Sequence, residues 1–260
     1  EENTYQNSPA AAACLVPVWR VWQGEIVRHT EASWTAWSSL EGTVRTGTCV
    51  KDDVGERTGT VLRDFICGMQ NLAQFGAQDM LDAVDLSHYR HMLDLAGGPA
   101  TYAIAFLRAY PSLKATLFDR PAVIDIAREE VAAADLESRF TYIAGDCLSS
   151  FLGGPYDLLL MSNIIHSFSA EENRAIVEKA YAALEQGGTL IIKDFITEND
   201  RSGPEFSLIF ALHMLVHTPA GGTYSFEEIA SWTDAAGFSP GRRVSITPQT
   251  RLWIVDRPHH

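Results

Sequence analysis

The stretch 91–102, HMLDLAGGPATY, restricts what this chain can fold into more than any other. A short apolar run reaches Asp94, Ala96, Gly97 and Gly98 make a tight turn, and a helix-forming segment begins near Thr101. Strand, glycine turn and helix in that order bring backbone N–H groups and a helix N-terminus against a nucleotide-like ligand. Glycine is needed because a side chain would hold such a ligand off the backbone. The same pattern also serves as a plain turn, so the rest of the chain decides its meaning.

From residue 91 onward the pattern is alternation. Apolar runs of strand length stand at 91–95, 114–118, 140–144, 156–161, 189–194, 242–246 and 252–256, with helical patterns at 101–109, 122–134 and 170–184 among the early ones. Ser169 with Glu172 forms a capping box, and Gly187-Gly188 is expected to close that last helix. Apolar strands alternating with helices imply an α/β fold, a doubly wound, Rossmann-like, mostly parallel seven-stranded sheet covered on both faces. The final two strands are joined only by a short turn over 247–250 and are expected to form an antiparallel C-terminal hairpin at one edge.

Residues 1–90 carry no convincing strand and read as a helical segment that links and lines a substrate site. Ser8 can cap a helix with Pro9 in its first turn. Trp19, Trp22, Trp34 and Trp37 recur at roughly helical spacing, either as core packing or as the wall of a pocket for a flat substrate, with Trp19 the candidate contact. Apolar spacing predicts helices at 60–75 and 77–84, separated from the tryptophans by a break over 42–59. Residues 91–258 form the ligand-binding domain, interrupted by an insertion whose helix covers 205–217, and a further helix runs from Ser225, which Glu228 helps to cap, to Gly237. His259 and His260 read as the remnant of a purification tag.

A formal net charge of -13 disfavours nucleic acid and anionic lipid as partners, and no apolar run is long enough to span a bilayer. Cys14, Cys49, Cys67 and Cys147 have no metal-finger spacing and read as free thiols in a reducing cytoplasm.

In an open parallel sheet ligands bind beyond the carboxyl ends of the strands. Here those ends carry Asp94, Asp119, Asp146 and Asp194, and the fourth strand runs into Ser162 and on to His166. Asp119 lies where an acid reaches the ribose of a bound nucleoside. So acidic a rim disfavours pyrophosphate and favours a cationic, phosphate-free nucleoside, which points to S-adenosylmethionine. His166 is the natural general base, and Asp194 can orient it and stabilise its protonated form. Phe206, Phe210, His213 and His217 share one face of the inserted helix, a wall over the substrate. His213 and His217 also have metal-ligand spacing, but no third ligand accompanies them, so no metal is expected.

With these segments in place, the chain from Tyr5 to Asp256 resembles the small-molecule O-methyltransferases of the caffeate and acetylserotonin type and their bacterial relatives. DLAGGPATYAI resembles the family's S-adenosylmethionine loop, which implicates Asp94, Ala96, Gly97 and Gly98. LFDRPAVI resembles its ribose segment, which implicates Asp119 and Arg120, and AGDCL its adenine segment, with Asp146 and Cys147. MSNIIHSFSAEEN is similar to the segment of the catalytic base, with Ser162 beside the cofactor and His166 as base. ALEQGGTLIIKDFI and ALHMLVHTPAGGTYSFEEIASWTDAAGF resemble the bacterial branch, with Asp194 beside the base and Phe210, His213, Met214 and His217 toward the substrate. Ala96 and Ala100 stand where the family loop has glycine, and Thr223 where plant members carry a second acid.

The resemblance implies an enzyme that moves a methyl group from S-adenosylmethionine to a hydroxyl of an aromatic or polyketide-like small molecule, leaving S-adenosylhomocysteine. It also implies a homodimer when the family's N-terminal winged-helix domain, which the match does not include, is present. The rival readings are a cofactor-retaining homologue of hydroxylase or pericyclase type, for which Lys193 is available if it is not simply solvent-facing, and a non-catalytic binding protein.

Overall fold

The computed structural model describes residues 5–17, 22–49 and 57–259. Its strands are β1 (His91–Leu95), β2 (Lys114–Asp119), β3 (Phe140–Ala144), β4 (Tyr156–Ser162), β5 (Leu184–Asp194), β6 (Arg242–Ser245) and β7 (Arg251–Asp256). They form one sheet in the order β3-β2-β1-β4-β5-β7-β6. The pairs from β3 to β5 are parallel, and β7 runs antiparallel to both β5 and β6. The chain therefore leaves β1 in both directions, and the crevice between β1 and β4 is the place where such sheets hold ligands. The expected fold class, antiparallel edge included, is the one observed.

Helices α1 (Pro9–Leu15), α2 (Gly24–Trp37), α3 (Leu40–Thr46) and α4 (Gly59–Ala83) precede the sheet. Within and after it come α5 (Thr101–Ala109), α6 (Pro121–Ala133), α7 (Ala170–Ala183), α8 (Glu205–His217) and α9 (Phe226–Ala236). Burial divides by sheet face, as the two-residue strand period requires. Leu93, Leu159 and Ile192 pack with Ile176, Val177 and Trp232 of α7 and α9. Met92, Leu117, Leu160 and Ile191 pack with Met80, Phe106 and Ile124 of α4, α5 and α6.

Three expectations change. The helices predicted at 60–75 and 77–84 are one helix, α4, running through Gly76. A Cβ on Gly76 would lie 3.1 Å from the Tyr102 hydroxyl, so the residue that reads as a breaker instead permits close packing on α5. The break predicted over 42–59 contains most of α3, closed by Gly47 at φ 77°, and residues 50–56 lie outside the described segments. Gly187 and Gly188 do not end α7, which stops at Ala183; they lie inside β5, where the pairing with β4 shifts register. Glycine is there for a bulge, not a cap.

The tryptophans divide as well. Trp34 is 81% exposed and so packs no core, whereas Trp37 is half-buried and reaches α8. Trp19 lies outside the described residues.

Candidate active site

The turn after β1 is tied to β2 by two backbone donors, and a third, next to Asp119 in the chain, holds the same carboxylate. Ala96 N–H donates to the Phe118 carbonyl at 2.7 Å, Gly98 N–H to Asp119 Oδ2 at 2.9 Å, and Arg120 N–H to Asp119 Oδ1 at 2.7 Å. A Cβ on Gly97 would sit 2.4 Å from the Asp94 carboxyl, so the turn can hold this acid only with glycine there. Gly98, at φ +57°, faces open space, the side from which a ligand reaches the backbone. Ala96 and Ala100 adopt φ 53° and 62°, the left-handed region that glycine enters freely and alanine does not. Each costs roughly 1–2 kcal/mol, and the turn keeps its shape nonetheless.

Asp94 is 1% exposed, and neither carboxyl oxygen has a well-formed hydrogen bond among the described residues. Burial, joined by the nearby Asp119 carboxylate and opposed by the Ala103 amide, pushes its pKa up to about 7. A buried acid left this way is poised for a cationic or hydrogen-bond-donating ligand. Because its folded pKa lies above the unfolded value, its ionisation costs stability progressively as pH rises from about 4 through about 7. Asp94→Asn is therefore expected to raise the unfolding free energy of the ligand-free protein at pH 8 by on the order of 1 kcal/mol or more. The gain should vanish toward pH 4 in denaturant titrations. A gain independent of pH would contradict the assignment.

On the other face of the sheet, His166 Nδ1 lies 2.8 Å from Asp194 Oδ1. Asp194 also accepts from Phe195 N–H at 2.8 Å, and its second oxygen is buried with no partner among the described residues. A carboxylate accepting at Nδ1 fixes the proton there and leaves Nε2 as the basic nitrogen. The segment bearing His166 is a single 3-10 turn, Ile165–Ser167, held by hydrogen bonds from two residues. Asn173 Nδ2 donates to the Ile165 and Phe168 carbonyls at 2.8 and 3.2 Å, and Gly222 N–H donates to the His166 carbonyl at 2.9 Å. A Cβ on Gly221 would come within 2.3 Å of that carbonyl. Asn163, at φ 55°, starts this excursion, with its N–H on the Lys193 carbonyl.

Around His166 the residues are aromatic. Phe210 meets it edge-on at 5.0 Å, Phe195 stacks at 6.2 Å, and Phe206 contacts both phenylalanines. His213 stacks on Phe210 at 5.5 Å and lies 4.2 Å from His217, while Met214 is buried on the same helix. Trp37 Nε1–H donates to His213 Nδ1 at 3.1 Å, joining α2 to this wall. Ile165, His166, Asp194, Phe195, Ile196, Thr223 and Tyr224 close around His166 and leave no free volume for even a water molecule.

The remaining predicted residues stand apart. Asp146 is exposed, and its Oδ1 accepts from the Leu148 and Ser149 amides in a local turn. Cys147 is buried, its carbonyl accepting from Lys179 Nζ. Ser162 Oγ is buried near the Tyr102 hydroxyl. Lys193 is not solvent-facing but 4% exposed. Its Nζ donates to Asn163 Oδ1 at 3.0 Å and lies 5.0 Å from the Tyr102 ring centre, and burial pushes its pKa down to about 8 against the pull of Asp194. Sequence reasoning passed over Phe195, although its place directly after Asp194 at a strand end is the available signal. No group of three or more metal-ligating side chains occurs among the described residues.

Comparison with known proteins bears on this geometry. A family model described as an O-methyltransferase domain matches residues 45–239. The 3-hydroxy-5-methyl-1-naphthoate 3-O-methyltransferase of Streptomyces sahachiroi is 31% identical over 94% of this chain and 72% of its own length. The structure of an O-methyltransferase family protein from Burkholderia thailandensis superposes with a TM-score of 0.89 and 27% identity, covering 99% of this chain and 79% of that one. The structure titled PigF with SAH gives 0.86 and 26%, covering 97% and 78%.

Proposed function

Because the chain belongs to the O-methyltransferase domain family, and is by that membership an S-adenosylmethionine-dependent O-methyltransferase, we propose that it methylates a hydroxyl of an aromatic or polyketide-like small molecule with His166 as general base. The observation that carries this reading is the contact between His166 and Asp194 at the strand-end rim, inside an aromatic enclosure. The naphthoate-methylating relative and the PigF structure with SAH support the acceptor class and the cofactor.

The residues present fit that cofactor. Asp119, held by the Gly98 and Arg120 amides, keeps lone pairs for ribose hydroxyls. Asp94 has both oxygens available for a cationic ammonium, and Gly97 and Gly98 let the backbone approach. Asp146 would meet the adenine from an exposed turn, with Cys147 and Ser162 beside it. Bound there, S-adenosylmethionine supplies a methyl group on a cationic sulfur, which the acceptor oxygen displaces in line. The protein's part is alignment and proton removal. Nε2 of His166 takes the hydroxyl proton, and Asp194 stabilises the resulting imidazolium while keeping the ring in place.

Ligand pockets for small molecules usually enclose roughly 300–1,000 Å³. Beside His166 the packed side chains leave no such volume. Phe195, Phe206 and Phe210 must therefore part to admit an aromatic acceptor, and α8, which carries two of them, is the element that yields.

The test is incubation with S-adenosylmethionine and a panel of phenols and hydroxynaphthoates, with S-adenosylhomocysteine and methyl ether read by mass spectrometry. Equal amounts of both products are expected. Acceptor consumed without S-adenosylhomocysteine would replace this reading with the non-methylating one.

A further inference from the structure

Trp37 and His213 come from distant parts of the chain, α2 and α8, and meet in one directed hydrogen bond. An indole N–H only donates, so His213 Nδ1 must accept at 3.1 Å and cannot carry a proton. His213 is thereby fixed as the Nε2–H tautomer, and its ring is half-buried where that of His217 is buried outright. The surroundings keep the ring neutral: burial, then His217, His29, His166 and Arg57, hold its pKa down to about 3. Phe210 stacks on His213 and meets His166 with its edge, so the two imidazoles lie on either side of the Phe210 ring, the ring that must yield to an aromatic acceptor.

We propose that His213 is a specificity residue that presents a fixed Nε2–H donor to the acceptor, selecting aromatic hydroxyl compounds that carry a carbonyl or carboxylate oxygen near the hydroxyl to be methylated. The inference rests on the reading of His166 as the base of a methyl-transfer site. A donor that cannot become an acceptor, set among rings, rewards an acceptor oxygen and penalises its absence. The two imidazoles on either side of Phe210 then have separate tasks: His166 removes the proton, and His213 fixes which way the acceptor lies.

Two measurements test it. In nitrogen-15 NMR of the full chain, with His213 assigned by the signal lost in His213→Gln, Nδ1 should be unprotonated and Nε2 protonated from pH 5 to pH 8. Trp37→Phe should release that tautomer. Calorimetry on protein saturated with S-adenosylhomocysteine should give 3-hydroxy-2-naphthoate at least tenfold tighter binding than 2-naphthol, as one hydrogen bond to a charged group supplies. His213→Phe should bring the ratio near one, and His213→Gln, which still donates, should keep most of it. S-adenosylhomocysteine affinity reports that each variant is folded. A protonated Nδ1, a wild-type ratio near one, failure of the naphthoate to bind, or a ratio that survives His213→Phe would overturn the inference. If S-adenosylhomocysteine itself does not bind, the reading of the site falls with it.

Discussion

His166→Ala is expected to lower turnover of a phenolic acceptor by about 100-fold or more while leaving S-adenosylmethionine affinity unchanged. The two effects separate because the base and the cofactor acids Asp94 and Asp119 project from opposite faces of the sheet. Asp94, Asp119 and Ser162 project on the side of α4, α5 and α6, whereas Asp194 and the turn bearing His166 lie toward α7 and α9. Removing the imidazole leaves the aromatic walls and the glycine turn in place, so binding and alignment persist and only proton removal is lost. Asp194→Asn is the informative companion. Its amide can donate to Nδ1 and turn the imidazole to the wrong tautomer, so turnover should fall without loss of the ring. Steady-state rates with acceptor saturating, together with calorimetric cofactor affinity, read both quantities. Unchanged turnover in His166→Ala would remove the residue from the mechanism.

Asp119→Ala is expected to weaken S-adenosylhomocysteine binding by roughly 10- to 100-fold, the worth of hydrogen bonds to a charged acceptor. Asp119 is 9% exposed, and burial raises its pKa, but the Arg120 and Gly98 amides pull the other way and favour the carboxylate. The acid thus has two tasks, closing the glycine turn onto β2 and offering its remaining lone pairs to the ligand. Asp119→Asn separates them. It preserves the shape while losing the charge and part of the acceptor capacity, so it should weaken binding less than alanine does. Affinities equal to wild type in both variants would place the ribose elsewhere.

Much of this was legible in the sequence because strands announce themselves locally. β1 and β3, and helices α5 and α8, have the bounds that apolar spacing predicts. Glycines were the source of error, since a residue without a side chain signals either a turn or a close approach. Gly76 and Gly187 are cases of the second kind, decided by Tyr102 and by the β4–β5 bulge, neither of which is local. Lys193 could not be placed from spacing alone, because its burial depends on Asn163 and Tyr102 arriving from two other elements. The pairing of His166 with Asp194 was anticipated from their strand ends. The contact between Trp37 and His213 was not, since nothing local links residues so far apart in the chain.

The most direct test of the central claim is a calorimetric titration of the folded chain with S-adenosylmethionine and S-adenosylhomocysteine, repeated with Asp119→Ala. The account predicts micromolar binding of both by the wild type, weakened in the variant. Failure of both ligands to bind a folded sample would contradict it and leave a protein that keeps the fold without the cofactor.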